Sequence, residues 1–300
     1  MGRVIVWTFT ILLGCALLRP AVAEDPAPSP KHLELASDFN GDLGAGLTDA
    51  WQCQGKFEFR HVPAPDDAQN MALAITLNPN SPPGSGGSCK YLRGEVGEAS
   101  KQWIPQQTEI WYSLRFMFPK EMRGKIGTKR FVLTQLKQSD TSCALSGGGE
   151  FDIKALKDGN PILSIRPIEN SDATVAGVLM AASSVNVGKI PFGLIMQESD
   201  IFFGNWHSLL LHVYVDPRVE GNESPAIRGY LDGSLDGEPF APTPYGLGSD
   251  GKPNPYDPFG YPTLTGCTYL KFGIYGDPDK EPWTVIVDRF RRGATKDDVK

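Results

Sequence analysis

Two-residue alternation of apolar and polar side chains is the feature that most constrains this chain. In Trp111–Phe118, Tyr112, Leu114, Phe116 and Phe118 fall on one side, and Ser113 and Arg115 on the other. In Trp206–Val215, Leu209, Leu211, Val213 and Val215 alternate with Ser208, His212 and Tyr214. In Tyr269–Tyr275, Leu270, Phe272 and Ile274 oppose Tyr269, Lys271 and Tyr275. Successive side chains of an extended strand point to opposite faces, so each segment is a strand with one dry face and one polar face. Shorter strands are expected over Phe57–Val62, Ala72–Leu77, Phe131–Gln138, Glu150–Leu156, Ile162–Arg166, Ala226–Leu231 and Thr284–Phe290. Asp158-Gly159-Asn160-Pro161, Asp216-Pro217 and Asp232-Gly233 supply turns between them. Longer loops, at residues 78–88, 168–200 and 234–266, are expected to rim a binding face. With 33 Gly, 25 Pro and little helical periodicity, the chain reads as all-β: one sandwich over residues 35–292 and a C-terminal tail over 293–300.

The N-terminus carries different information. Arg3, the apolar run Val4–Leu18 and Ala21-Val22-Ala23 have the order of a signal peptide over residues 1–23. The run is short for crossing a bilayer, and the proline-bearing residues 24–34 read as a flexible leader. The expectation is a periplasmic or secreted, soluble monomer. In an oxidising compartment Cys53, Cys89, Cys143 and Cys267 are disulfide candidates, with three connectivities open. A net charge of −6 without a basic run argues against a nucleic-acid binder.

Three polar pairs are spaced to share a strand face: Arg93 with Glu95, Gln135 with Lys137, and Lys271 with Tyr275. Members of an i,i+2 pair lie roughly 7 Å apart and of an i,i+4 pair roughly 13 Å. They line a surface rather than touch, as suits a groove for a chain-like ligand. The segments Tyr91-Leu-Arg-Gly-Glu95, Tyr112-Ser-Leu-Arg-Phe116, Val132-Leu-Thr-Gln135, Gly204-Asn-Trp-His207, Gly229-Tyr-Leu-Asp-Gly233 and Tyr269-Leu-Lys-Phe-Gly-Ile-Tyr275 follow one another in order. In that order and spacing the chain resembles polysaccharide lyases of the heparin lyase I type, with the related jelly-roll glucuronan and alginate lyases.

The resemblance implies a jelly-roll sandwich that cleaves a uronate polymer by β-elimination, with no cofactor required. It implies that Tyr275 moves the proton, Arg93 and Gln135 hold the uronate carboxylate, Lys271 positions the sugar, and Glu95 and Arg115 are further substrate contacts. Charge building on the carboxylate as the neighbouring proton leaves calls for cationic and hydrogen-bonding groups. A tyrosine of pKa about 10 becomes a useful base beside Arg or Lys. Many lyases of this type carry histidine two residues after the glutamine, where this chain has Lys137. Lys137 either replaces that base, binds an acidic sugar, or marks a carbohydrate-binding protein without catalysis. His212, on a polar strand face, is the histidine to test as a stand-in, whereas His207 reads as structural. Asp140, Asp152, Asp232 and Asp277 are candidates for a structural Ca²⁺. Glu150 and Asp152 are a candidate hydrolase pair.

Overall fold

The structure, a computed structural model, describes residues 34–52, 56–80, 92–105, 108–127, 131–139, 163–184, 188–216, 228–240, 267–276 and 282–300. The strands are β1 (Leu35–Ser37), β2 (Leu47–Gln52), β3 (Phe57–Ala64), β4 (Asp67–Leu77), β5 (Leu92–Glu98), β6 (Ile104–Pro105), β7 (Ile110–Met117) and β8 (Phe131–Ser139). They continue with β9 (Leu163–Glu169), β10 (Val175–Ser184), β11 (Gly188–Glu198), β12 (His207–Asp216), β13 (Arg228–Leu235), β14 (Glu238–Pro239), β15 (Cys267–Gly276) and β16 (Trp283–Gly293). Among the described residues the one α-helix is the single turn α1 (Ser199–Phe202).

These strands form two eight-stranded antiparallel sheets. The first runs β14-β13-β12-β7-β16-β4-β3 with β1 on β16, and the second β11-β10-β9-β8-β15-β5-β2 with β6 on β15. The chain passes repeatedly from sheet to sheet, among other places from β4 to β5, β7 to β8, β11 to β12 and β15 to β16, which wraps it as a jelly-roll β-sandwich. The alternation explains the core. Tyr112, Leu114 and Phe116 of β7, Leu209, Leu211 and Val213 of β12, and Leu270, Phe272 and Ile274 of β15 are all buried between the sheets.

The 168–200 loop expectation is corrected, because most of that stretch is the β10–β11 hairpin. Its strands lack polar alternation: Ala176, Val178 and Met180 enter the core, while Gly177, Leu179 and Ala181 occupy the other side. Glycine is demanded at position 177, since a Cβ on Gly177 would lie 2.0 Å from the Ile195 carbonyl oxygen. Residues 294–300 fold back on the first sheet, where Val299 is buried and Ser113 Oγ donates to its carbonyl at 2.6 Å. The signal peptide, the Glu150–Leu156 strand and Cys53, Cys89 and Cys143 lie outside the described residues.

Candidate active site

The outer face of the second sheet gathers most of the residues singled out by sequence. In register, Lys271 of β15 lies opposite Gln135 of β8 and Gly97 of β5. Tyr269 lies opposite Lys137, and Tyr275 opposite Arg93. Because Leu270, Phe272 and Ile274 point into the core, the odd-numbered residues of β15 point outward with Arg93, Glu95, Gln135 and Lys137. A register shift between Phe272 and Tyr275 contains Gly273, whose φ is +137°. A Cβ there would meet the Gly94 carbonyl oxygen at 2.3 Å, so glycine is required to bring β15 this close to β5.

The face is built in two tiers. Glu95, Gln135 and Lys271 form a floor, exposed by only 1%, 2% and 2%. Gln135 Nε2 donates to Glu95 Oε1, so the amide expected at a sugar carboxylate is instead spent on a protein carboxylate. Above them Arg93, Lys137 and Tyr275 are half-buried. Arg93 Nε lies 3.3 Å from Glu95 Oε2, and its guanidinium carbon sits 4.9 Å from the centre of the Tyr275 ring. At the other end of the row Lys271 Nζ lies 5.5 Å from the Tyr269 ring centre. Tyr269 stacks on Trp103 at 4.3 Å and 10°, and the Trp103 indole donates to the Glu98 carbonyl at 3.0 Å.

Burial pulls the Lys271 ammonium down to about 7; Glu95 opposes this, and Arg93 and Lys137 add to it. Burial likewise pushes the Glu95 carboxyl up, against Lys271, Arg93, Gln135 and Lys137. The floor is therefore poised to change charge near neutrality. A testable sign follows for Lys271. Below pH 7 both folded and unfolded chains hold its proton, and between about 7 and about 10.4 only the unfolded chain does. Its burial cost is thus relieved as pH rises through that window, by at most about 1.4 kcal/mol per pH unit. Unfolding by urea at pH 7 to 10 is expected to show wild type gaining stability relative to Lys271→Met. A pH-independent difference between them would refute the assignment.

Two of the expected site residues are elsewhere. His212 lies on β12 of the first sheet, stacked on Trp111 at 3.9 Å and bonded through Nε2 to Glu109 Oε1 at 2.8 Å. Arg115, on β7, pairs with Asp66 and Asp288 and lies 4.4 Å from the Trp206 ring centre. Both point outward on the sheet that does not carry Lys271, because alternation fixes a side chain's face within a strand but not the sheet the strand joins. His207 is buried, with Nε2 2.8 Å from the Phe202 carbonyl and Nδ1 2.8 Å from Asp236, as a structural histidine should be.

Two groups escaped the sequence reading. Ser164 of β9 lies opposite Gln135, and Arg166, two residues on, shares its outward face. Trp103 precedes the two-residue strand β6, which has no periodicity to reveal it. Among the described residues no group of three His, Cys, Asp or Glu is gathered to hold a metal ion. Asp140, Asp152, Asp277 and Glu150 lie outside them, and Asp232 belongs to β13 of the first sheet.

No protein-family model matches the chain, and no curated protein sequence does. Some solved structures superpose on the chain in part. The cellulose-induced protein Cip1 superposes with a TM-score of 0.48 at 11% identity, covering 87% of this chain and 97% of its own. The alginate lyase vAL-1 from Chlorella virus gives 0.46 at 12%, over 83% and 93%. An alginate lyase from Klebsiella pneumoniae gives 0.43 at 11%, over 79% and 85%.

Proposed function

We propose that this protein is an exported polysaccharide lyase acting on a uronate polymer. The observation that carries the proposal is the two-tier face: on a chain of net charge −6, Arg93 lies over an accessible tyrosine, Tyr275, and Lys271 and Lys137 continue the cationic row along the same outward face. In the proposed reaction the sugar carboxylate is seated by Arg93, beside Tyr275. Tyr275 takes the proton from the carbon beside that carboxylate. The electron pair left behind forms a double bond to the next carbon as its bond to the glycosidic oxygen breaks, and a proton passes to the leaving oxygen. Arg93 lies over the Tyr275 ring and keeps positive charge beside the reacting carboxylate, and the buried floor supplies a fixed field instead of mobile water.

Each cleavage creates an unsaturated uronate with new ultraviolet absorbance. Residues 24–300, incubated with glucuronan, alginate, heparin, heparan sulfate and hyaluronan, with and without Ca²⁺, are expected to generate that absorbance on at least one polymer. Silence on all of them would overturn the lyase assignment. A second reading is favoured by Lys137 standing in the histidine position: a glycan-binding protein that keeps the cationic face without turnover. Saturable binding with no new absorbance and no reducing ends would establish it.

A further inference from the structure

We infer that Arg166 seats a second carboxylate of the same polymer, so that the chain lies across the strands, from β5 toward β9. The inference rests on reading the face as a uronate site and extends it by one position. Thr134 of β8 pairs with Ile165 of β9, which places Arg166 one residue further along, one residue short of the row formed by Val132, Tyr275 and Arg93. Leu163 and Ile165 enter the core, so Arg166 points outward with Ser164, and it is half-buried like Arg93.

Arg93 and Arg166 are separated by three strand steps, from β5 through β15 and β8 to β9. At about 4.8 Å per step their backbones stand roughly 14 Å apart. One carboxylate seated beside Tyr275 at Arg93 therefore leaves Arg166 for a carboxylate on another sugar. Its neighbour in register on β10 is Leu179, which in turn faces Leu194 of β11. The guanidinium thus borders an apolar shelf, where its planar fork gives a two-pronged contact to a carboxylate while its stem and the leucines cover the sugar's less polar side. A repeating polyanion reaches both arginines at once, whereas a single uronic acid or a neutral chain does not.

Binding is measured calorimetrically in a Tyr275→Phe background, which prevents turnover, with hexasaccharides of alginate, glucuronan and heparin and with neutral mannohexaose. Adding Arg166→Ala is expected to weaken the acidic hexasaccharide that binds by about tenfold. Arg166→Lys is expected to retain part of that affinity, and the melting midpoint of each variant separates a loss of contact from a loss of fold. An unchanged dissociation constant on Arg166→Ala overturns the inference and leaves the uronate reading standing. If the background protein binds none of the acidic hexasaccharides, or binds mannohexaose equally, the uronate reading falls and this inference falls with it.

Discussion

Tyr275→Phe is expected to lower turnover of the uronate polymer by roughly 10²- to 10⁴-fold, the usual worth of a positioned proton-transfer group, while the Michaelis constant stays within about threefold. The substitution isolates one atom. The aromatic ring that lies 4.9 Å beneath the Arg93 guanidinium carbon is retained, so the attraction between cation and ring persists. The ring also keeps its place, since Tyr275 faces outward, between Arg93 of β5 and Val132 of β8. What disappears is the hydroxyl that takes the proton and returns one. Progress curves at saturating and subsaturating polymer separate the two constants. A variant retaining more than a tenth of wild-type turnover would show that another group moves the proton, and Lys137 would be the next to replace.

The largest stability effect is expected from Arg292→Met. Arg292 of β16 and Glu98 of β5 pair at 2.8 Å with both side chains fully buried, linking the two sheets through the core. Glu98 also accepts the Leu270 amide at 3.0 Å, and Arg292 donates to the Gln102 carbonyl at 2.7 Å. Burial pushes the Glu98 carboxyl up, and the Arg292 charge and the Leu270 amide hold it back. Removing the arginine leaves a buried carboxyl without its counter-charge, at a cost of about 3–5 kcal/mol. Adding Glu98→Gln removes that charge and keeps an oxygen for Leu270, so the double variant is expected to be more stable than Arg292→Met alone. Exposed Arg60 and Glu58 provide the control, where Arg60→Ala should cost less than about 1 kcal/mol. Denaturant unfolding of the four proteins measures this, and a loss below 1 kcal/mol for Arg292→Met would contradict it.

How much of this could be read from sequence depended on what local periodicity encodes. The strands β7, β12 and β15 were legible to within a residue or two because each alternates dry and polar positions. The β10–β11 hairpin was not, because Gly177, Leu179 and Ala181 put small and apolar residues on the side where polar ones would have completed the pattern. The candidate site divides the same way. The shared faces of Arg93 with Glu95, Gln135 with Lys137 and Lys271 with Tyr275 follow from spacing alone. That Tyr275 meets Arg93 in register, and that Gln135 turns to Glu95, depends on which strands become neighbours, and pairing across long separations leaves no local mark. His212 and Arg115 show the limit from the other side, with the outward orientation read correctly and the sheet not.

The separation of a sealed floor from an open rim also bears on how such a protein changes over generations. Glu95, Gln135 and Lys271 are tied to one another and to the packing around them, so replacing one disturbs the rest. Arg93, Lys137, Arg166 and Tyr275 each stand half-clear of the sheet, on separate strands or a full pleat apart. Substitutions among the first three can retune which acidic chain is held, and those at Arg93 and Lys137 also change the charge felt by the floor underneath. On the proposed reading of this face, the rim is the place to look for divergence in polymer preference.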